Sequence, residues 1–186
     1  MALSLPNLIT VMRLLLVPLI VSLMLGKDYE LAFAVFLVAG ISDAIDGFIA
    51  KRFDMMTTLG AYLDPIADKA LLVSVYVTLG VQGQFAQLLV TLVVARDLMI
   101  VGAVILSWVI GHPIKIAPLM LSKLNTAAQI VLAALMLAVL GFLPEWHPVT
   151  IYGQWIVALT TLLSGFAYFL AWFASVTAWE RANMKP

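Results

Sequence analysis

Cysteine is absent from the 186 residues, which excludes disulfides and thiolate metal sites. Charge is scarce too. Only 11% of the residues are charged, against about 25% in an ordinary soluble domain. Ten basic and ten acidic residues cancel to a formal net charge of zero, so no global field points to nucleic acid. Histidine is nearly missing: His112 and His147 fall in breaks on opposite sides of the chain's apolar segments and cannot form one metal site. What remains is apolar. Hydrophobic residues make up 64% of the chain and mean hydropathy is +1.10, a composition that places it in a membrane and leaves little room for a soluble domain.

Met1–Asn7 carries no basic residue, and no clear small-residue cleavage site follows the first apolar run. That run is therefore expected to stay as a span. Six segments reach the roughly 20 apolar residues that a span needs: Ile9–Leu25, Leu31–Ala50, Asp64–Val81, Phe85–Ile110, Leu121–Leu140 and Ile151–Ala174. Turn-forming residues separate them, including Gly26-Lys27-Asp28, Gly80–Gly83 and Gly111-His112-Pro113. The segments lack the alternation of a barrel, and helices satisfy every backbone group in lipid. The expected fold is an all-α integral membrane bundle of six transmembrane helices, one domain over residues 1–186. A short interfacial helix is added over Ala2–Thr10, where Leu3, Leu5, Leu8 and Ile9 offer an apolar face and Pro6 sets a bend.

Basic residues orient the bundle. Six spans put both termini on one side, together with Lys51, Arg52, Lys115, Lys123, Arg181 and Lys185, while Arg13 lies near that end of span 1. Lys27 is the basic residue of the opposite loops. Both termini are therefore expected in the cytoplasm. Trp108, Trp146, Trp155, Trp172 and Trp179 mostly fall near span ends, as interfacial anchors or as packing aromatics.

Four acidic residues stand out at the cytoplasmic ends of spans 2 and 3. Asp43 and Asp46 are three apart, Asp64 and Asp68 four apart, so on helices each pair shares a face. The short break between them returns the chain antiparallel and lets the faces meet. A carboxylate within a span costs about 2.5–3.5 kcal/mol on insertion scales, so four cost on the order of 10 kcal/mol unless neutralised or hydrated. A pair of divalent cations would neutralise them. Hard oxygen ligands favour Mg²⁺, Mn²⁺ or Ca²⁺ over zinc, and Mg²⁺ characteristically shares its coordination with substrate phosphates. Gly47, Ala50 and Gly60 remove bulk beside the carboxylates, either for a ligand's close approach or for helix packing.

The stretch from Asp43 to Asp68 resembles the signature of the CDP-alcohol phosphatidyltransferase family, D-x-x-D-G-x-x-A-R-x8-G-x3-D-x3-D. It matches over 26 residues except that Lys51 stands where the family usually has arginine, with Arg52 next to it. Lysine lacks arginine's bidentate fork for phosphate. The resemblance implies a metal-dependent enzyme with two Mg²⁺ or Mn²⁺ ions. Asp43, Asp46 and Asp64 would be ligands, and Asp68 would serve the second metal and act as general base. Gly47, Ala50 and Gly60 would make room for the cytidine diphosphate. The donor implied is CDP-diacylglycerol, the by-product CMP. Membrane lipids and a second copy of the chain, as a homodimer, are the implied partners; nucleic acid is not.

Pro6-Asn7-Leu-Ile-Thr10-Val-Met-Arg13 resembles the family's N-terminal element, from which Asn7 and Arg13 would reach the nucleotide phosphates. Snorkelling to the headgroups is the alternative for Arg13. Arg96-Asp97 within span 4 is a functional pair by default, or a self-paired structural one. Arg96-Asp97-Leu-Met and Ser122-Lys123-Leu-Asn125-Thr126 resemble cardiolipin synthases of the CDP-alcohol type more than phosphatidylglycerophosphate synthases. The expected acceptor is therefore phosphatidylglycerol, with glycerol 3-phosphate second. Both are anionic and suit Arg96, Lys115 and Lys123. A cation or proton transporter is the competing class, but it predicts acidic residues spread through the bilayer and a repeat; here they gather on one side.

Overall fold

The apolar segments become helices in the computed structural model, which describes the backbone over residues 5–52, 58–109 and 120–183 and side chains over 10–43, 45, 67–103, 106 and 120–177. Six helices follow one another: α1 (Leu5–Leu25), α2 (Tyr29–Arg52), α3 (Thr58–Val81), α4 (Gln87–Val109), α5 (Met120–Phe142) and α6 (His147–Asn183), with a 3-10 turn at Pro144–Trp146 before α6. Among the described residues there is no strand. The fold is the expected all-α bundle. Five helices of 21 to 24 residues are long enough for a hydrocarbon core of about 30 Å at roughly 1.5 Å per residue. Among the described residues, Met120–Phe142 and Pro144–Thr177 are long and apolar enough to cross a membrane.

The helices close a ring. α1 packs on α2 and α3, α2 on α5, α5 on α6, α6 on α4, and α4 on α3, while α3 also touches α5. Ile20, Phe36, Val75, Leu79, Val93, Leu132 and Met136 fill the middle. Tyr76 donates a hydrogen bond of 3.0 Å to the Gln129 carbonyl, pinning α3 to α5. The outside is as apolar as the inside: Leu15, Val38, Leu98, Val131, Leu159 and Phe166 are all exposed. Buried instead are Thr10, Arg13, Arg96, Asp97, Asn125, Gln129, Thr161 and Ser164. Large exposed apolar surface around a polar seam suits lipid and not water.

Two tight helix ends sit at the edge opposite the aspartates. After α1, Lys27 N–H donates to Met24 O and Asp28 N–H to Leu23 O. After α3, Gly83 N–H donates to Gly80 O and Gln84 N–H to Leu79 O. Both are Schellman ends. In the second, Gly83 takes the left-handed conformation at φ 74°. In the first, Lys27 takes it at φ 64°, at a cost of about 1–2 kcal/mol that the preceding Gly26 does not relieve. Side chains tie the same edge together. Gln82 Nε2 donates to Met24 O at 2.6 Å, and the amide N–H of Ala86 donates to Gln154 Oε1 at 2.8 Å.

The interfacial helix expected over Ala2–Thr10 is not a separate element among the described residues: α1 runs from Leu5 through to Leu25. Pro6 occupies the first turn, where no backbone N–H is needed and its fixed φ favours the helix, so it starts α1 and does not bend it.

Candidate active site

The aspartate-bearing segments are helical, as their spacing predicts. α2 runs through Asp43 and Asp46 and α3 through Asp64 and Asp68, so each pair is in register at three and four residues. The side chains of Asp46 and Asp64 lie outside the described residues, as do those of Asn7, Lys51 and Arg52. Lys115 lies wholly outside, and Gly47, Ala50 and Gly60 are described only as helical positions. Asp43 and Asp68 are described, and they converge. Arg13 of α1 is buried at 2% exposure and its guanidinium pairs with both, Nη2 with Asp43 Oδ1 and Nη1 with Asp68 Oδ1. Three helices thus meet at one charge cluster. Arg13 does not snorkel to the headgroups; its charge is taken up by the carboxylates.

The cluster opens into a cavity of about 120 Å³ between α2, α3 and α5. Arg13, Asp43, Asp68, Lys69 and Thr126 line its polar part, and Phe36, Leu71, Leu72 and Ile130 its apolar wall. Charge beside hydrocarbon in one chamber is what a molecule with a polar head and acyl chains requires. A second hollow of about 200 Å³ between α4 and α6 is lined by Met99, Ile100, Ala103, Leu106, Tyr168, Phe169 and Trp172. It holds no carboxylate.

Two carboxylates on different helices already surround one positive centre, and both are hard oxygen donors suited to Mg²⁺ or Mn²⁺. Among the described residues no group of three acidic or histidine side chains forms a metal cluster. Asp46 and Asp64, one helical turn from Asp43 and Asp68, are the positions from which further donors would come.

Beyond the cluster, Arg96 and Asp97 pair at 2.8 Å deep in α4. Arg96 also donates to Ser164 Oγ of α6 at 3.0 Å and to Ser122 Oγ of α5, and its guanidinium lies 5.8 Å from the centre of the Tyr168 ring. Arg96 therefore ties α4, α5 and α6 together. Lys123, by contrast, is exposed. The polar run that opens α5 turns inward: Asn125 Oδ1 accepts hydrogen bonds from Thr160 and Thr161 at 2.8 and 3.0 Å. Gln129 Nε2 donates to Thr161 Oγ1 at 3.3 Å. Such bonds hold helices together in lipid, where packing is otherwise weak glue.

Sequence reasoning overlooked Lys69. Its ammonium pairs with Asp97 Oδ1, joining α3 to α4 immediately beside Asp68. The available signal was a lysine in mid-span, which needs a counter-ion.

The profile of the CDP-alcohol phosphatidyltransferase family matches residues 3–179. The chain is 32% identical over 183 residues to the CDP-diacylglycerol--glycerol-3-phosphate 3-phosphatidyltransferase of Bacillus subtilis (strain 168), covering 89% of this chain and 93% of that one. It is 34% identical to the chloroplastic CDP-diacylglycerol--glycerol-3-phosphate 3-phosphatidyltransferase 1 of Oryza sativa subsp. japonica, over 89% of this chain and 56% of that one. To the cardiolipin synthase (CMP-forming) of Homo sapiens it is 31% identical, over 89% and 60%. The chain thus spans little more than half the length of the rice and human relatives. With the aspartate register, the six-helix bundle and a profile match over nearly its whole length, the chain belongs to the CDP-alcohol phosphatidyltransferase family.

Proposed function

We propose that this protein transfers a phosphatidyl group from CDP-diacylglycerol to the hydroxyl of a glycerol-type acceptor and releases CMP, in the synthesis of anionic phospholipids. The observation that carries the reading is the convergence of Asp43 and Asp68 from α2 and α3 on one cationic group, at the mouth of a cavity with an apolar wall. The relatives named for this chemistry support it: each carries a phosphatidyltransferase or CMP-forming synthase name.

The residues divide the work. Asp43, Asp46 and Asp64 would hold the divalent ions, and Asp68 would share the second. Bound there, Mg²⁺ or Mn²⁺ would supply charge neutralisation and Lewis-acid polarisation of the pyrophosphate. Gly47, Ala50 and Gly60 leave room for the nucleotide, whose phosphates are met by Asn7, Lys51 and Arg13. The apolar wall of Phe36, Leu71 and Leu72 receives acyl chains. Asp68 takes the proton of the acceptor hydroxyl. The oxygen attacks the lipid-side phosphorus, the phosphoanhydride bond breaks and CMP departs. The acceptor is phosphatidylglycerol, because Arg96-Asp97-Leu98-Met99 and Ser122-Lys123-Leu124-Asn125-Thr126 match the cardiolipin synthase pattern; Arg96, Lys115 and Lys123 supply positive charge for it. Glycerol 3-phosphate is the second reading, favoured by the Bacillus relative of nearly equal length. The site and both termini face the cytoplasm, and the enzyme works as a homodimer.

The test uses purified protein in lipid micelles with CDP-diacylglycerol and Mg²⁺ or Mn²⁺. Phosphatidylglycerol and glycerol 3-phosphate are offered separately and CMP is followed. CMP release with phosphatidylglycerol is the expected result. Release with glycerol 3-phosphate alone overturns the acceptor, and no release with either overturns the transferase.

A further inference from the structure

The ion pairs next to the aspartate cluster are shared unevenly. Lys69 and Arg96 both pair with Asp97, and both use the same oxygen, Oδ1. Two cations thus share one oxygen of Asp97, while in the adjoining cluster one cation, Arg13, lies between two carboxylates, Asp43 and Asp68. Asp68, adjacent in sequence to Lys69, turns its carboxylate to Arg13.

The two cations are not equivalent. Arg96 has a side chain 4% exposed and is held by Asp97, Ser122 and Ser164. It cannot leave without orphaning groups on three helices. Lys69 has a side chain 35% exposed and lines the cavity that contains Asp43 and Asp68. Its nitrogen is shielded, yet beyond the ion pair to Asp97 it makes no hydrogen bond among the described residues. An ammonium has three donors, so donors remain to be used. Its four-carbon stem has rotatable bonds that a guanidinium held on three helices cannot use.

We propose that Lys69 is a specificity-determining residue, swinging from Asp97 to bind the phosphate of an anionic glycerol phosphate acceptor and so to bring the acceptor's hydroxyl to Asp68. The assignment rests on the phosphatidyl-transfer reading and names the chemistry of its acceptor. Asp68 and Lys69 line the same cavity, so an acceptor anchored at Lys69 holds its hydroxyl in the chamber that contains the base. Asp97 is the post on which the ammonium rests when no acceptor is bound. A free glycerol phosphate and a lipid headgroup share the phosphate that Lys69 recognises.

The test follows CMP release from the full chain in micelles with CDP-diacylglycerol and Mn²⁺, varying glycerol 3-phosphate in one arm and phosphatidylglycerol in the other. The arm in which the wild type turns over identifies the source of the phosphate. In that arm Lys69→Gln, which removes the charge but keeps a hydrogen-bond donor, should raise the acceptor KM about tenfold or more, the scale of one charge-assisted hydrogen bond. The KM for CDP-diacylglycerol should stay put, and Lys69→Arg should recover the acceptor KM. Lys69→Met repeats the measurement should the glutamine variant lose its unfolding transition. An unchanged acceptor KM in both neutral variants, or a fall in the saturating rate alone, overturns the role of Lys69 while the transferase reading stands. No CMP from the wild type in either arm overturns both.

Discussion

Arg13 shows how much one residue can carry here. Buried between Asp43 and Asp68, it answers two carboxylates with one positive charge. Removing it leaves two carboxylates facing each other. Arg13→Gln should lower stability by about 2 kcal/mol, below the roughly 3–5 kcal/mol of a fully buried pair because both carboxylates are partly exposed. Millimolar Mn²⁺ should then raise the thermal midpoint of the variant more than that of the wild type; an equal rise in both would show that the ion does not occupy this place. The two aspartates should also separate by role. Asp68→Asn should keep nucleotide binding better than Asp43→Asn while losing turnover by a factor on the order of 10²–10⁴, the weight of a general base. Equal loss of binding in titrations with CDP would merge the two roles. The aspartates were legible from sequence because their spacing places them on helix faces before any tertiary contact is known. Lys69 was not. Its meaning depends on Asp97, which follows it by 28 positions on another helix, and helical periodicity says nothing about which faces meet.

At the scale of elements, the six helices could be read from hydropathy, though their ends could not. Spans 2 and 3 were cut short or begun late at Ala50 and Asp64, where charge ends an apolar run; the helices continue to Arg52 and begin at Thr58 because backbone hydrogen bonding does not stop at a carboxylate. The expected bend at Pro6 failed for a related reason: a proline in the first turn starts a helix. Contact between helices has its own requirements. At the end of α5, a Cβ added to Gly141 would stand 3.0 Å from the backbone nitrogen of Glu30 and 3.2 Å from its Cα. Backbone cannot rotate away as a side chain does, so Gly141→Ala should force α5 from the start of α2. The expected loss is about 1–3 kcal/mol, the range of overpacking, read as a lower thermal midpoint in detergent. The CMP-releasing rate at low temperature should hold, since the contact lies at the edge opposite Asp43.

At the scale of the whole molecule, the proposed sidedness rests on the basic residues, with Lys27 alone among the loops of one side and Lys51, Arg52 and Lys123 on the other. The absence of cysteine makes this directly measurable. A membrane-impermeant maleimide applied to intact cells should label Lys27→Cys, and should reach Lys123→Cys only after permeabilisation; the reverse pattern would invert the bundle. Length adds a further constraint. α6 has 37 residues, about 55 Å, against about 35 Å for its 23-residue neighbours α4 and α5 and about 30 Å of hydrocarbon. Its first turns are fastened to the far edge, where Gln154 holds Ala86 and Gln84, so the surplus emerges on the side of the aspartates. A bilayer that thins or thickens by a few ångströms leaves five helices matched and alters mainly how far this sixth stands above the hydrocarbon. The protein therefore carries its own dipstick, with the fixed end anchored at one face and the graduated end rising on the side of Asp43 and Asp68.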